Sequence, residues 1–254
     1  MVFERYKLDG RVAVVTGAGR GLGRTMALTL AEAGADVVAA ARSEADIRET
    51  AAAVEQIGRR SLAIPTDVAD SAAVDALVAR VIKEWGGLDI LVNNAGGEFG
   101  LARPTVDLAD EDWARVLRTN LTGTFYCARA AGRVMLHRGY GRIINIACLS
   151  GVRGSANHAA YAAAKGGVLQ LTQALALEWA TRGVTVNALG LGWIEGQQEG
   201  LADPERAEGL RRGIPLARLG QPRDLQAVLM YLASESARYL TGQTIWIEGG
   251  WSCR

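Results

Sequence analysis

The chain has 254 residues, 49% hydrophobic and 22% charged, which is enough apolar material for one large core and too much for disorder. The formal net charge is +1 and no run of Lys or Arg stands out, so nucleic acid and anionic membrane are not implied as partners. Cys127, Cys148 and Cys253 are widely spaced, make neither a disulfide framework nor a metal-ligand pattern, and point to a reducing, cytoplasmic setting. The first residues lack the apolar segment of a signal peptide, and no uncharged apolar run is long enough to span a membrane.

Val12 to Val15 reads as a short strand running into Thr16-Gly17-Ala18-Gly19-Arg20-Gly21-Leu22-Gly23, after which Met26, Ala27, Leu30 and Ala31 repeat at helical spacing. Glycines let a backbone turn tightly and approach a pyrophosphate, and the following helix offers amides and a positive dipole. Gly17, Gly19, Arg20, Gly21, Leu22 and Gly23 are therefore candidates to hold a nucleotide. A plain strand–helix turn also uses glycine, so the flanking elements carry much of this reading.

Asp36 to Ala41 predicts a second strand, Ile47 to Ile57 a helix, and Leu62 to Ile64 a third strand entering Thr66-Asp67-Val68. Asp70 or Ser71 caps the next helix, whose apolar stripe is Val74, Leu77, Val78, Val81 and Ile82. Leu88 to Val92 is the fourth strand, ending in Asn93-Asn94-Ala95-Gly96, and a long helical region runs from Trp113 toward His137. Arg142 to Ala147 is the fifth strand, ending at Cys148. An Ala-rich helix carries Tyr161 and Lys165, Val184 to Leu189 is the sixth strand, and residues 190–213 read as a mobile lid loop with short helical pieces. Asp224 to Ser234 is helical and Thr244 to Glu248 is the last strand. Alternating strands and helices, with no linker and no repeat, imply a single α/β domain over residues 1–254: a doubly wound, mostly parallel sheet with helices on both faces. Ligands in such sheets bind beyond the strands' carboxyl ends, where most of these motifs fall.

Tyr161 and Lys165 are i and i+4, on one face of their helix. A phenol with a pKa near ~10 is a poor acid–base group at neutral pH, and an adjacent ammonium favours its anion. A Tyr brought toward neutrality in this way can exchange a proton with a carbonyl oxygen.

Thr16-Gly17-x-x-x-Gly21-x-Gly23, Asp67, Asn93-Asn94-Ala95-Gly96, Asn120 and Tyr161-x-x-x-Lys165 together resemble the short-chain dehydrogenase/reductases over essentially the whole chain. The resemblance implies a seven-stranded Rossmann sheet, a nicotinamide dinucleotide, an alcohol or ketone as small-molecule substrate, and a homo-oligomer, commonly a tetramer. It makes Tyr161 the proton donor or acceptor. Lys165 lowers the Tyr161 pKa and holds the nicotinamide ribose, and Asn120 anchors a relay water. Asn93 supports the sheet, Asp67 and Val68 border the adenine, and Asn94, Ala95, Gly96 and Ile194 complete the cofactor set. Three positions depart from the family pattern. Its catalytic Ser is Cys148 here, with Ser150 two residues on; its Pro-Gly after the sixth strand is Leu191-Gly192; and its following Thr is Gly196.

An acidic residue after the second strand would grip a ribose 2′-hydroxyl, but Ala41-Arg42-Ser43 stands there. Arg42, with Arg20, suits a 2′-phosphate, so NADP(H) is expected over NAD(H). Glu98, Phe99, Trp193 and Glu195 fall in the loops expected at the pocket mouth, with Trp193 as an apolar wall. Cys148, Ser150 and Trp193 are the substrate candidates. His158 is read as a helix-start residue with a lesser claim on substrate, and Arg153 as a candidate for an acidic substrate group. The leading expectation is a carbonyl reductase or alcohol dehydrogenase acting on a sugar acid, polyol, 3-oxoacyl or cyclic ketone substrate. A dinucleotide-binding protein with weak or no catalysis, because of Cys148, is the alternative. A methyltransferase is disfavoured by the Tyr161/Lys165 pair and by the lack of an acidic residue after the second strand.

Overall fold

The computed structural model describes residues 3–195 and 204–253. Seven parallel strands form one sheet: β1 (Val12–Thr16), β2 (Asp36–Ala41), β3 (Ser61–Pro65), β4 (Ile90–Asn93), β5 (Gly141–Cys148), β6 (Val184–Leu191) and β7 (Thr244–Ile247). Their order is β3-β2-β1-β4-β5-β6-β7. The direction of winding reverses between β1 and β4, which opens a crevice at the carboxyl ends of those two strands.

Among the described residues, eight α-helices carry the crossovers: α1 (Gly21–Glu32), α2 (Glu44–Gln56), α3 (Ser71–Trp85), α4 (Asp110–Leu117), α5 (Gly123–Arg138), α6 (Ala159–Trp179), α7 (Pro204–Gly213) and α8 (Gln226–Ala233). The inner strands β1, β4 and β6 are buried along their whole length, as parallel strands covered on both faces must be. Met26, Leu30, Ile47, Val54 and Leu229 of α1, α2 and α8 pack one face. Val74, Leu77, Val81, Ala131, Met135 and Leu175 of α3, α5 and α6 pack the other.

Two stretches differ from the sequence expectation. The helical region after Trp113 is not uniform, because α4 and α5 are joined by a π-helical turn at Arg118–Thr122 that contains Asn120. One extra residue in a turn shifts the face presented, and such bulges gather at functional sites. The stretch 190–213, expected as a loop with short helical pieces, carries regular structure at both ends. Gly190 and Leu191 belong to β6, and residues 204–213 form α7, anchored by buried Ala207. Glycine fits inside β6 because a Cβ at Gly190 would lie 2.3 Å from the Trp246 ring. Residues 196–203, including Gly196, lie outside the described residues.

Candidate active site

The glycine turn leaves β1 and enters α1 at the switch point. Gly17 sits at φ +66°, a left-handed conformation open to glycine, and a Cβ on Gly23 would stand 2.0 Å from the Gly17 carbonyl oxygen. Arg20 is the N-cap of α1 and makes no side-chain cap bond, whereas Ser43 and Asp70 cap α2 and α3 with theirs. The amides opening α1 are thus left for an anion. Leu22 is buried in the core, so it can serve a ligand only through its backbone. Arg42 lies exposed just beyond β2, and neither it nor Arg20 has an ion-pair partner among the described residues.

Two residues that sequence reasoning passed over brace this turn. Thr50 Oγ1 donates to the Ala18 carbonyl at 2.9 Å, and Asp46 of α2 lies close enough that a Cβ on Gly19 would meet its Cβ at 2.7 Å. The Ser43-x-x-Asp46 cap spacing was the available signal.

The segment after β4 locks onto the same turn. Thr16 Oγ1 receives the amides of Asn94 and Ala95 at 3.0 and 3.1 Å. Asn94 Nδ2 donates to the Thr16 and Gly17 carbonyls at 3.0 and 3.3 Å. Asn94 therefore shapes the cradle and is spent on protein partners. Asn93 Nδ2 donates to Asn145 Oδ1 at 2.9 Å, and Asn145 Nδ2 donates to Thr172 Oγ1 at 2.9 Å, a buried chain tying β4 and β5 to α6. Asn145 and Thr172 carry no motif and were not legible in sequence. Asp67 accepts from the Ala69 amide at 3.0 Å at the end of the third crossover strand, and Val68 packs where a Cβ on Gly123 would meet it at 2.8 Å.

Tyr161 and Lys165 lie on the first two turns of α6, beside Cys148 at the end of β5. Lys165 is buried and donates to the Ile146 carbonyl at 2.8 Å. Its Nζ is 5.6 Å from the Tyr161 ring centre, and it would be 3.8 Å from a Cβ on Gly96. The expected depression of the Tyr161 pKa by Lys165 is not found. The Tyr161 phenol is pushed well above its ordinary value by burial, then by Cys148 and by the charge of Glu98. Lys165 is itself lowered to about 8 by burial. The physical reason is direction: the shared helix face is present, but the ammonium is turned to a backbone carbonyl, and desolvation outweighs its pull.

Asn120 braces the segment after β4. Its side chain accepts from Gly97 N at 3.0 Å and donates to Gly97 O at 2.9 Å and Val116 O at 3.0 Å. Both amide protons are engaged there, and the oxygen keeps one lone pair beyond the Gly97 bond. Cys148 Sγ donates to Ser150 Oγ at 3.7 Å, so both carbonyl-donor candidates are in contact. The turn carrying Ser150 cannot swing freely, since a Cβ on Gly151 would meet the Lys165 backbone carbon at 2.8 Å.

At the mouth, Cys148 pairs with Leu191 in the sheet, and Trp193 follows two residues on. Trp193 meets Trp251 edge to face at 6.3 Å, and Arg153 donates to the Trp251 carbonyl at 3.1 Å. Trp251, after β7, was missed because it lies far from every motif. Ile194 is 1% exposed and packs in the core while its backbone bridges to Gly220, so any contact it makes with a cofactor is through its main chain. His158 joins Glu98 at 3.3 Å.

A family model described as enoyl-(acyl carrier protein) reductase matches residues 17–252. The chain is 38% identical over 245 residues to the 3-oxoacyl-[acyl-carrier-protein] reductase FabG of Vibrio cholerae, covering 96% of this chain and 98% of that one. A gluconate 5-dehydrogenase from Burkholderia cenocepacia, solved in complex with NADP and tartrate, is 36% identical with both chains fully covered and a TM-score of 0.94. An NAD+-bound xylitol dehydrogenase is 33% identical, with a TM-score of 0.90 over 96% of this chain and 100% of that one. With its sheet order, glycine turn and Tyr161/Lys165 helix, the chain belongs to the short-chain dehydrogenase/reductase family of oxidoreductases.

Proposed function

We infer that the protein transfers a hydride between NADP(H) and an alcohol or ketone, with Tyr161 giving the proton in reduction and taking it in oxidation. The observation that carries this reading is the meeting, at one sheet edge, of the uncapped glycine turn with Tyr161, Lys165 and Cys148. The turn suits a dinucleotide, because the amides opening α1 have no side-chain cap and the close packing of Gly17 and Gly23 against Asn94, Ala95 and the turn itself leaves no room for a Cβ. Gly17 to Gly23, Arg42, Asp67, Val68, the segment Asn94 to Gly96 and the Ile194 backbone would hold the cofactor, which supplies the hydride when bound. Tyr161 keeps its proton at neutral pH and is placed to hand it to a carbonyl oxygen. Lys165, fixed by Ile146 and close to Gly96, is placed to hold a ribose hydroxyl. Trp193, with Trp251, forms an apolar wall for substrate.

The relatives are a 3-oxoacyl-[acyl-carrier-protein] reductase, a gluconate 5-dehydrogenase and a xylitol dehydrogenase by name, which supports a 3-oxoacyl, sugar acid or polyol substrate here, with a cyclic ketone as the further candidate. A second reading, dinucleotide binding with little chemistry, is favoured by the direction of Lys165 and by Cys148 in place of Ser. NADPH oxidation across a panel of those ketones separates the two: turnover on at least one supports the oxidoreductase, and tight NADPH binding with no turnover on any supports the second reading.

NADP(H) preference rests on Arg42 and Arg20, which have no ion-pair partner among the described residues, and on the NADP-bound Burkholderia neighbour, while the xylitol dehydrogenase holds NAD+. Arg42→Ala is expected to weaken NADPH binding roughly ten- to a hundredfold and to leave NADH binding within twofold, measured by fluorescence titration. Equal loss for both cofactors overturns the assignment.

Cys148 ends β5, and its thiol is a weaker donor than a hydroxyl. Cys148→Ser is expected to raise kcat on a simple ketone by roughly threefold to tenfold, with Ser150→Ala changing it little. Loss of activity in Ser150→Ala alone would make Ser150 the carbonyl donor instead.

We further propose that residues 1–254 act as one unit with a lid within 190–213, and that the protein is cytoplasmic and a homo-oligomer of tetrameric type. Exposed Phe125 on α5 and Leu177 on α6 support association of subunits. Among the described residues no helix is long and apolar enough to cross a membrane.

A further inference from the structure

Glu98, in the segment after β4, and His158, the N-cap of α6, face each other at the edge of the site, Oε2 to Nε2 at 3.3 Å. The other imidazole nitrogen, Nδ1, lies 2.7 Å from the Ala156 carbonyl oxygen and 3.3 Å from Ser155 Oγ. A carbonyl oxygen only accepts, so Nδ1 carries a proton. A charged carboxylate also only accepts, so Nε2 carries one as well. The contacts are those of an imidazolium–carboxylate pair.

The backbone on both sides of the pair is held in an uncommon form. Among the described residues only Phe99, Asn157 and Ala217 are non-glycine with positive φ, at 57°, 67° and 53°. Phe99 directly follows Glu98, and Asn157 directly precedes His158. Side chains other than glycine keep this conformation where their surroundings enforce it, and such positions cluster at functional sites. The two segments are tied a second time by the Arg103 amide, which donates to the Asn157 carbonyl at 2.9 Å. A small cavity between them is lined by Glu98, Leu101, Val116, His158, Ala160 and Tyr161. The Glu98 charge is one of the influences that push up the Tyr161 phenol, after burial and Cys148, so the pair is electrically coupled to that hydroxyl.

We propose that the Glu98–His158 pair positions Tyr161: while both partners are charged it fastens residues 97–104 to the first turn of α6 and holds the phenol in its reacting place. Loss of either charge loosens both segments, which the Arg103–Asn157 bond then joins alone. The proposal rests on the reading of Tyr161 as the proton-transferring group. The titratable and charged groups around His158 are Glu98 from the opposite segment, Tyr161 and Lys165 on its own helix, and Cys148 from β5 beside Tyr161. Arg103 is directed to Asp112 of α4 at 3.5 Å, and Arg115 of α4 lies over the Phe99 ring at 5.9 Å.

Loss of the contact slows reduction and oxidation alike. Proton transfer by Tyr161 distinguishes the two directions, since reduction needs the phenol and oxidation the phenolate. Lys165, lowered to about 8, contributes a pH limb that no change at His158 removes.

The test is kcat in both directions for wild type, Glu98→Gln, His158→Gln and His158→Arg, with NADPH binding measured alongside. Each Gln variant is expected to lose roughly five- to twentyfold in kcat in both directions, because a small misplacement of a reacting group is costly. Cofactor affinity should stay within about twofold. His158→Arg keeps a positive charge facing Glu98, so it should restore most of the turnover lost in His158→Gln. Gln variants with wild-type kcat overturn the proposal, as does His158→Arg performing no better than His158→Gln. Amide hydrogen exchange provides a readout that needs no turnover. Residues 97–104 and 158–161 should exchange at least about fivefold faster in both Gln variants with the sheet unchanged, and unchanged exchange overturns the proposal. If the wild-type protein turns over no carbonyl compound at all, the functional reading fails while the exchange experiment still decides on the pair.

Discussion

Tyr161→Phe lowers turnover by roughly 10²–10⁴, equivalent to about 3–5 kcal/mol of transition-state stabilisation, and leaves NADPH affinity nearly unchanged. The change removes one oxygen from a side chain whose ring packs with Leu101, Leu108 and Leu121 against α4 and α6, so the hydrophobic contacts survive. What is lost is the proton. The phenol is held well above its ordinary pKa by burial, then by Cys148 and Glu98. Below that range it is protonated, so reduction has its acid in hand across neutral pH, apart from the limb of Lys165. Oxidation needs the phenolate, and its rate should climb with pH well past neutrality. Steady-state rates in both directions from pH 6 to 10 check the sign. A Phe variant with substantial residual turnover, or an oxidation rate that does not rise with pH, moves the proton transfer to another group.

Gly23→Ala has the second large effect. A Cβ there stands 2.0 Å from the Gly17 carbonyl oxygen and 2.6 Å from Asn94 Nδ2, and neither can retreat. The Gly17 carbonyl belongs to the turn itself, and Asn94 is held by the Thr16 carbonyl at 3.0 Å. The added methyl must open the turn, and overpacking of this kind costs about 1–3 kcal/mol. At 2–4 °C per kcal/mol for a chain of this size, Tm falls by roughly 2–12 °C. Cofactor binding falls further, by roughly a hundredfold or more, because the cradle that admits the pyrophosphate is the part that moves. Gly209→Ala is the control. A Cβ at Gly209 meets nothing within 4 Å, and it lies inside α7, where Ala is favoured over Gly. It should leave Tm and cofactor affinity unchanged or slightly improved. Wild-type NADPH affinity in Gly23→Ala would remove the glycine turn from the cofactor site.

The architecture was legible because hydrophobic periodicity reports it directly. Asp36–Ala41 is the second strand, as its unbroken apolar run implies, and Asp70 caps α3 through a 2.8 Å bond to the Ala72 amide. The π turn at Arg118–Thr122 was not legible, since a one-residue bulge barely disturbs the spacing of Trp113, Val116, Leu117 and Leu121. Helix α7 was expected only as a short helical piece within a loop because Pro204–Gly213 is strongly polar, with Ala207 and the adjoining Ile214 supplying the buried contacts.

At the site, sequence spacing placed Tyr161 and Lys165 on one face but could not say where the long lysine ends. The Ile146 carbonyl that claims it comes from a strand 19 residues away in the chain. Trp251 and the Glu98–His158 pair were beyond reach for a related reason. Each depends on which loops the sheet order brings side by side, and local periodicity carries no such information. Trp251 reaches Trp193 because β6 and β7 are neighbours, and Glu98 reaches His158 because β4 and β5 are.

Hydride passage between NADP(H) and a carbonyl carbon on this chain, with Tyr161 moving the proton, would leave an isotopic mark. NADPH carrying deuterium at the transferable position of the nicotinamide is incubated with a ketone that supports turnover. One deuterium is expected at the carbinol carbon of the product, read by mass spectrometry, with formation slowed at least a hundredfold in Tyr161→Phe. Product alcohol without deuterium, or deuterium appearing at the wild-type rate in Tyr161→Phe, would overturn the proposed function.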